Sequence, residues 1–220
     1  MIVYYDTEFI EQGPSLPIEL ISIGMVREDG ATLYLINADV SLSKLVRHPW
    51  LSMNVVPQLP IKMSGFASGM LSGIIEWDTE HDDFHSVVAA DTIAHMVREF
   101  VLLKHDELDD PVKPELWAYY GAYDHVVLSQ LYGSMADLPQ GMPMYTNDIM
   151  QEWTRLDRPA ILPPQPEHQH RAIDDAYWCS QAHTELRDWR TWLQQSDGTL
   201  YEDEMDEVER YKAWKTERDS

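Results

Sequence analysis

The sequence predicts a single α/β domain in which a mixed sheet is flanked by helices. Three observations carry that expectation. The chain opens with three β-prone runs in succession, and later apolar β-prone runs alternate with stretches of helical spacing. Hydrophobic residues make up 44% of its 220 positions, with eight Trp and eleven Tyr, which is enough apolar surface for one well-packed core.

Taken in order, Ile2 to Tyr5 is a short β-prone run ending at Asp6. Gly13-Pro14 marks a turn. A second run, Ile18 to Val26, closes on Arg27-Glu28-Asp29-Gly30, and Ala31 to Ile36 is the third. Two such runs joined through Asp-Gly predict a hairpin. Ser41 to Val46 suits a helical turn. Residues 52–83 show scattered Gly, Ser and Met without a clear period and read as loop with short helices, or a lid.

Behind Asp82-Asp83, the residues Val88, Ile93, Met96, Val97, Phe100 and Val101 recur at helical spacing, so a helix is expected over His85 to Lys104. Pro111 and Pro114 punctuate. Glu115 to Tyr120 reads as a buried strand, and Gly121 turns it into a helix carrying Asp124, Val127, Leu128 and Leu131. Pro139 and Pro143 precede a short edge strand at Met144-Tyr145-Thr146, followed by a helix over Asp148 to Leu156. A proline-rich run from Pro159 to Pro166 leads into a long helix, Arg171 to Gln195. Ser196 to Thr199 breaks it, and Tyr201 to Arg218 is a polar, helical tail. The expected organisation is one domain over 1–195 and an acidic tail over 196–220. There is no internal repeat.

Thirty-eight acidic residues against sixteen Lys and Arg give a formal charge of −22. A binder of duplex nucleic acid ordinarily carries a basic footprint, because phosphate contacts release counterions. The acidity therefore means either a solvated surface or carboxylates that converge on divalent cations, and composition does not separate the two. No run of 18 or more apolar residues suggests a membrane span. The start of the chain reaches Asp6 without a basic segment, unlike a signal peptide. The single cysteine, Cys179, excludes an intramolecular disulfide and a cysteine-built zinc site, and fits a reducing cytoplasm.

Three small constellations carry chemistry. Asp6-Thr7-Glu8 places two carboxylates on one face of an extended strand, where they repel unless a cation neutralises them. Carboxylate oxygens are the hard ligands that Mg²⁺ and Mn²⁺ prefer. Asp124 follows directly on the Glu115–Tyr120 run, where an acidic residue also complements the start of a helix. His170 and Asp175 are five apart, about 140° round a continuous helix, so they converge only if the histidine lies in the entry loop. Alone, each has an ordinary explanation as solvated or dipole-complementing residues. Their order along the chain, Asp6, Glu8, Asp124, then His170 with Asp175, is what distinguishes them.

That order, and the wording MIVYYDTEFIE, IELISIGMV, ELWAYYGAYDHVVL and HRAIDDA, resembles the DEDDh 3′–5′ exonucleases. Within them it is similar to bacterial and phage 3′-exoribonucleases whose best-known member is described as polyadenylate-specific. The resemblance runs from residue 1 to about residue 190; the 41–83 stretch and the tail after Ser196 have no counterpart in it. It implies a ribonuclease H-like fold and two Mg²⁺ or Mn²⁺ ions about 4 Å apart, acting on a terminal phosphodiester. It also implies Asp6, Glu8 and Asp175 as ligands of one ion, Asp6 bridging to a second supported by Asp124, and His170 as general base. The substrate implied is single-stranded nucleic acid, RNA rather than DNA, released as nucleoside 5′-monophosphates. Many related nucleases are homodimers.

Other readings stay open on the sequence alone. A DNA exonuclease of the same fold would share every catalytic residue, and an acidic interaction protein would show no metal dependence. A regulatory module with a decayed site is disfavoured because all five positions hold competent residues. His168 with Asp174 is an alternative register with a gap of six, off the family spacing. Phe9, Glu19 and Leu20 are expected near the site. Trp77, Trp117, Tyr119, Tyr120 and Tyr123 are available for base stacking, though strand aromatics are more often core.

Overall fold

Alternation along the first strand divides the molecule into two layers. The computed structural model describes residues 1–64, 74–102, 113–167, 169–196 and 204–220. In it, β1 (Ile2–Ile10) sends Val3 and Tyr5 to one face of a sheet and Tyr4 to the other. On the first face these residues meet Ile93, Val97 and Val101 of α3 (Ala90–Val101), and Val127 and Leu128 of α4 (Ala122–Gln130). On the second they meet Ile173, Ala176, Cys179 and Ala182 of α6 (Ala172–Gln195), with Ile149 of α5 (Ile149–Arg155) at the side. A third cluster extends this second face, where Ile10, Ile21 and Ile36 pack on Leu45 of α1 (Leu42–Arg47) and Leu51 of α2 (Pro49–Asn54).

The sheet is mixed, with β1 near its centre. β2 (Glu19–Arg27) runs antiparallel to β1, and β3 (Thr32–Asn37) antiparallel to β2. β6 (Val87–Val88) lies parallel to β3 at one edge; β7 (Glu115–Ala118) and then β8 (Asn147–Asp148) add in parallel on the other side of β1. The β2–β3 hairpin is the one its Asp-Gly turn predicts. Gly30 takes φ +89° there, a conformation a side chain would strain, while Arg27 N–H donates to the Ala31 carbonyl at 2.9 Å.

Several elements depart from expectation for local reasons. β1 continues through Asp6 and Glu8 to Ile10, because the ladder to β2 carries it past the carboxylates, with a bulge at Glu8/Phe9. β7 stops at Ala118 rather than Tyr120, whose φ is +56°. The helix expected from His85 starts only at Ala90. A 3₁₀ turn (Asp82–Ser86) and β6 come first, and the Val88 carbonyl accepts from Ala38 N–H at 2.9 Å, pairing these β-branched residues with the sheet. The edge strand lies at Asn147–Asp148 instead of 144–146. There Asn147 Nδ2 donates to the Leu116 carbonyl at 3.1 Å, and Asp148 Oδ1 caps α5 by accepting from Met150 N–H at 2.7 Å.

The 52–83 stretch, read as loop with short helices or a lid, holds the end of α2, a 3₁₀ turn (Val56–Gln58) and a separate two-stranded hairpin, β4 (Ile61–Ser64) with β5 (Ile74–Trp77). Residues 65–73 of that stretch, Lys104, Pro111, Thr199 and Tyr201 lie outside the described residues. At the C-terminus, α7 (Glu204–Arg218) packs on α6. Tyr211 is buried beside Trp189 and Trp192; Lys215 pairs with Glu185, and Arg218 Nη1 with Asp188 Oδ1 at 2.6 Å. Among the described residues no helix is long and apolar enough to cross a membrane.

One close approach fixes where α6 begins. A Cβ on Gly24 of β2 would stand 2.3 Å from the carbonyl carbon and oxygen of Ala172 and from the amide nitrogen of Ile173. Only a glycine lets the first turn of α6 lie against the sheet at that point, and Gly24 is the residue paired with Asp6. Because the obstacle is backbone, Gly24→Ala forces α6 away rather than a side chain aside. We expect a cost of about 2–3 kcal/mol, a fall of roughly 5–10 °C in melting temperature. A thermal melt checks this, and an unchanged midpoint would contradict the packing.

Candidate active site

The site forms where β1, α4 and the start of α6 meet. Asp6 and Glu8, two apart on β1, share the face that looks toward α6. Between them Thr7 points the other way and reaches α4. Its backbone N–H and its hydroxyl both donate to Asp124 Oδ1, at 2.8 and 2.6 Å, and hold that buried carboxylate behind the strand. Asp175 stands in the first turn of α6, brought close by the contact at Gly24.

His170 lies in the entry loop just before α6, as convergence required. Its φ is +68°, and its backbone N–H donates to Asp175 Oδ2 at 2.8 Å, so the aspartate fixes the turn that presents the histidine. The imidazole Nδ1 comes within 3.7 Å of Glu8 Oε1. One ligand atom each from Glu8, His170 and Asp175 lie within 4.8 Å of one another. Asp6, Glu8, His170 and Asp175 open on one cavity of about 240 Å³, with Tyr119 and Trp178 on its wall and Gln165 and Gln169 beside them. Asp124 does not line that cavity; Thr7 holds it, and its charge acts on Asp6. A larger hollow of about 400 Å³ between α7 and Trp189 contains none of the five residues, so size does not select the site.

The electrostatics are unusual for a carboxylate cluster. Burial lifts the Asp6 carboxyl well above its ordinary range, and the charges of Asp124, Glu8 and Asp175 add to the lift. Burial raises Asp124 to about 6 against the pull of its two Thr7 hydrogen bonds. It raises Asp175 to about 6 against the bond from His170 N–H. The adjacent Glu8 carboxylate holds the His170 imidazole above its usual value, with partial burial opposing. Among the described residues no Lys or Arg forms an ion pair with any of the four carboxylates; the His170 imidazole, a cation only when protonated, stands 3.7 Å from Glu8. Converging hard oxygen donors short of positive charge fit a divalent cation such as Mg²⁺ or Mn²⁺.

Other candidates fall into place differently. Asp174 is engaged with Arg171 at 3.0 Å, and His168 lies outside the described residues. Glu19 pairs with Lys44, and Leu20 is core. Trp77 packs on the α1–α2 cluster, and Trp117 stacks on His183 at 3.8 Å. Tyr123 is half-exposed and stacks on Phe9 with rings 5.8 Å apart and 9° from parallel. Tyr120 is exposed. Trp50, whose exposed ring meets His170 edge-on at 4.8 Å, was not singled out in the sequence; it lies between the Ser41–Val46 turn and the 52–83 stretch. Sequence reasoning also missed Trp178, Cys179, Gln165 and Gln169 on the cavity wall. For Trp178 and Cys179 the available signal was their spacing of three and four from Asp175 on one helix face.

The family description of the 3′-5′ exoribonuclease Rv2179c-like domain matches residues 1–187 of this chain. The chain belongs to this family. Two Mycobacterium tuberculosis proteins are similar to it at 34% identity over 176 residues, spanning 80% of this chain and 87% of each relative. They are named 3′-5′ exoribonuclease Rv2179c (strain ATCC 25618 / H37Rv) and 3′-5′ exoribonuclease MT2234.1 (strain CDC 1551 / Oshkosh). The Rv2179c-like match includes all five residues of the cluster and the 41–83 stretch, and it ends inside α6, ahead of Trp189, Trp192 and α7.

Proposed function

We propose that this chain is a metal-dependent 3′–5′ exoribonuclease of the DEDDh type with a ribonuclease H-like fold. It removes nucleoside 5′-monophosphates from the 3′ end of single-stranded RNA. The observation that carries the reading is the convergence of Asp6, Glu8, Asp175 and His170 on one cavity, with Asp124 behind and no Lys or Arg paired to the carboxylates among the described residues. Membership of a family described as exoribonucleases supports both activity and substrate.

Asp6, Glu8 and Asp175 would hold one Mg²⁺ or Mn²⁺, and Asp6 with Asp124 a second. Such ions supply a more acidic water and stabilise the charge that develops on the leaving oxygen. His170 is the residue placed to accept a proton from the attacking water. Its turn is fixed by Asp175 and its ring by Glu8 and Trp50, so the imidazole enters the reaction oriented rather than searching. Tyr119 and Trp178 give the cavity an apolar wall that limits water. A surface of net charge −22 disfavours tight duplex binding, which makes single strands and 3′ overhangs the better substrates.

Matched RNA and DNA strands, each with a free or phosphate-blocked 3′-hydroxyl, test the substrate. RNA with a free end should be shortened fastest, and the block should slow it sharply. Faster DNA degradation would move the assignment to a DNA exonuclease of the same fold.

The raised carboxyls also predict how stability depends on pH. Asp124 and Asp175 go from an ordinary 3.8 to about 6 in the folded chain. Their contribution to stability is therefore fully present below pH 3.8 and lost as pH rises through about 6. His170, also raised, acts in the same sense. In EDTA the melting temperature should fall by several degrees from about pH 4.5 to about pH 7. Millimolar Mn²⁺ should restore it at the upper pH and do little at the lower, where the ligands are protonated. A Mn²⁺ effect equal at both values would contradict this picture.

A further inference from the structure

Beside the catalytic cluster, Arg171 makes more polar contacts than an entry-loop residue needs. Its Nη2 donates to Asp83 Oδ1 and Oδ2 at 3.0 and 3.2 Å, and its Nε lies 3.3 Å from Oδ2. Nη1 donates to both oxygens of Asp174 at 3.0 and 3.2 Å. The guanidinium also lies 4.9 Å above the ring of Tyr34 on β3. The three groups come from separate places. Asp174 is in the first turn of α6, whereas Asp83 belongs to the 3₁₀ turn that closes the excursion between β3 and β6.

That excursion also carries α2 and Trp50, whose ring flanks His170. We propose that Arg171 is the positioning residue of the site: by bridging Asp83 and Asp174 it ties the 3₁₀ turn ahead of β6 to the start of α6 and so fixes the turn that seats His170. The inference rests on the assignment of His170 as the base. An Arg beside a nuclease centre invites the alternative role of gripping a substrate phosphate. The geometry argues against it, because all three guanidinium nitrogens are engaged by two carboxylates and the charge is compensated twice. Arg171 reaches the chemistry through its neighbours: its own backbone follows the left-handed turn at His170, and its carbonyl accepts from Asp174 and Asp175 N–H at 2.8 and 3.2 Å.

The test is single-turnover and steady-state kinetics on single-stranded RNA with Mn²⁺. Arg171→Ala and Asp83→Asn should each lower kcat about 10–100-fold, the usual cost of loosening a supporting contact. KM should stay within about twofold, since no substrate contact is removed. The rise in melting temperature with Mn²⁺ should survive in both. Arg171→Lys should recover only part of the rate, because an ammonium does not reproduce two forked pairs. On a His170→Ala background, Asp83→Asn should cost nothing further, as expected for a residue that acts through the histidine.

A raised KM at unchanged kcat would overturn the proposal and make Arg171 a phosphate contact. A lowered melting temperature with kcat intact would overturn it as well, leaving a purely structural link. Should Arg171→Ala fail to fold, the milder Asp83→Asn carries the same comparison. A His170→Ala protein as active as wild type would remove the functional reading itself. A slow His170→Ala alongside fully active Arg171 and Asp83 variants would remove only this inference.

Discussion

Asp6→Asn should fold, lose measurable turnover, and lose the rise in melting temperature that Mn²⁺ gives the wild type. Asn keeps the shape of the side chain and removes its charge. Asp6 is the carboxylate on which the charges of Asp124, Glu8 and Asp175 all act, and in the proposed mechanism it would bridge the two cations. Losing a bound ion forfeits several kcal/mol of transition-state stabilisation, which corresponds to a rate loss on the order of 10³-fold or more. The same substitution relieves repulsion within a buried cluster, so the metal-free variant should melt no lower than the wild type in EDTA. A single-turnover assay and a paired melt with and without Mn²⁺ check both halves. Retained turnover would contradict the assignment of Asp6.

His170→Ala should separate the base from the ligands. We expect a loss on the order of 10²–10⁴-fold in rate, the range of a positioned acid–base group. The Mn²⁺-induced rise in melting temperature should remain, because the imidazole is assigned to the attacking water. Raising the pH should partly rescue the variant, since hydroxide needs no base to generate it. In the wild type the base must be unprotonated, and Glu8 holds its proton on to higher pH. The rate should therefore fall with acidity from above the ordinary histidine range. Because a ring nitrogen of His170 also lies within 4.8 Å of Glu8 and Asp175 ligand atoms, one outcome would reverse the roles. If His170→Ala abolishes the Mn²⁺ effect, the imidazole is a ligand. His168→Ala is the internal control and should stay near wild type.

Much of this architecture was legible because it is local. The β2–β3 hairpin followed from an Asp-Gly turn between apolar runs, and α6 from the long stretch that follows a proline-rich run. His170 and Asp175 were readable as a pair only on the condition that the histidine lay outside the helix, and its φ of +68° meets that condition. What escaped was set by distant partners. β1 seemed to stop at Asp6 because two carboxylates interrupt its apolar alternation, yet the ladder to β2 carries the chain through them. β6 and β8 have two residues each, too few for any period, and form only because β3 and β7 offer them an edge. The close approach at Gly24 has no local signal, because the atoms that demand it belong to Ala172 and Ile173. Trp50 and Asp83 had no visible role, because α6, which they approach, begins more than eighty residues further along the chain. The polar tail gave no sign that Tyr211 would be buried against Trp189 and Trp192.

In the proposed function this carboxylate cluster removes nucleotides from the 3′ end of RNA with divalent metal. A 5′-end-labelled single-stranded RNA, followed over time with the wild-type protein in Mn²⁺ and in EDTA, tests it most directly. The expected result is a ladder that shortens from the 3′ end one nucleotide at a time in Mn²⁺ and stays intact in EDTA. Internal fragments appearing first, or the same ladder in EDTA, would contradict it.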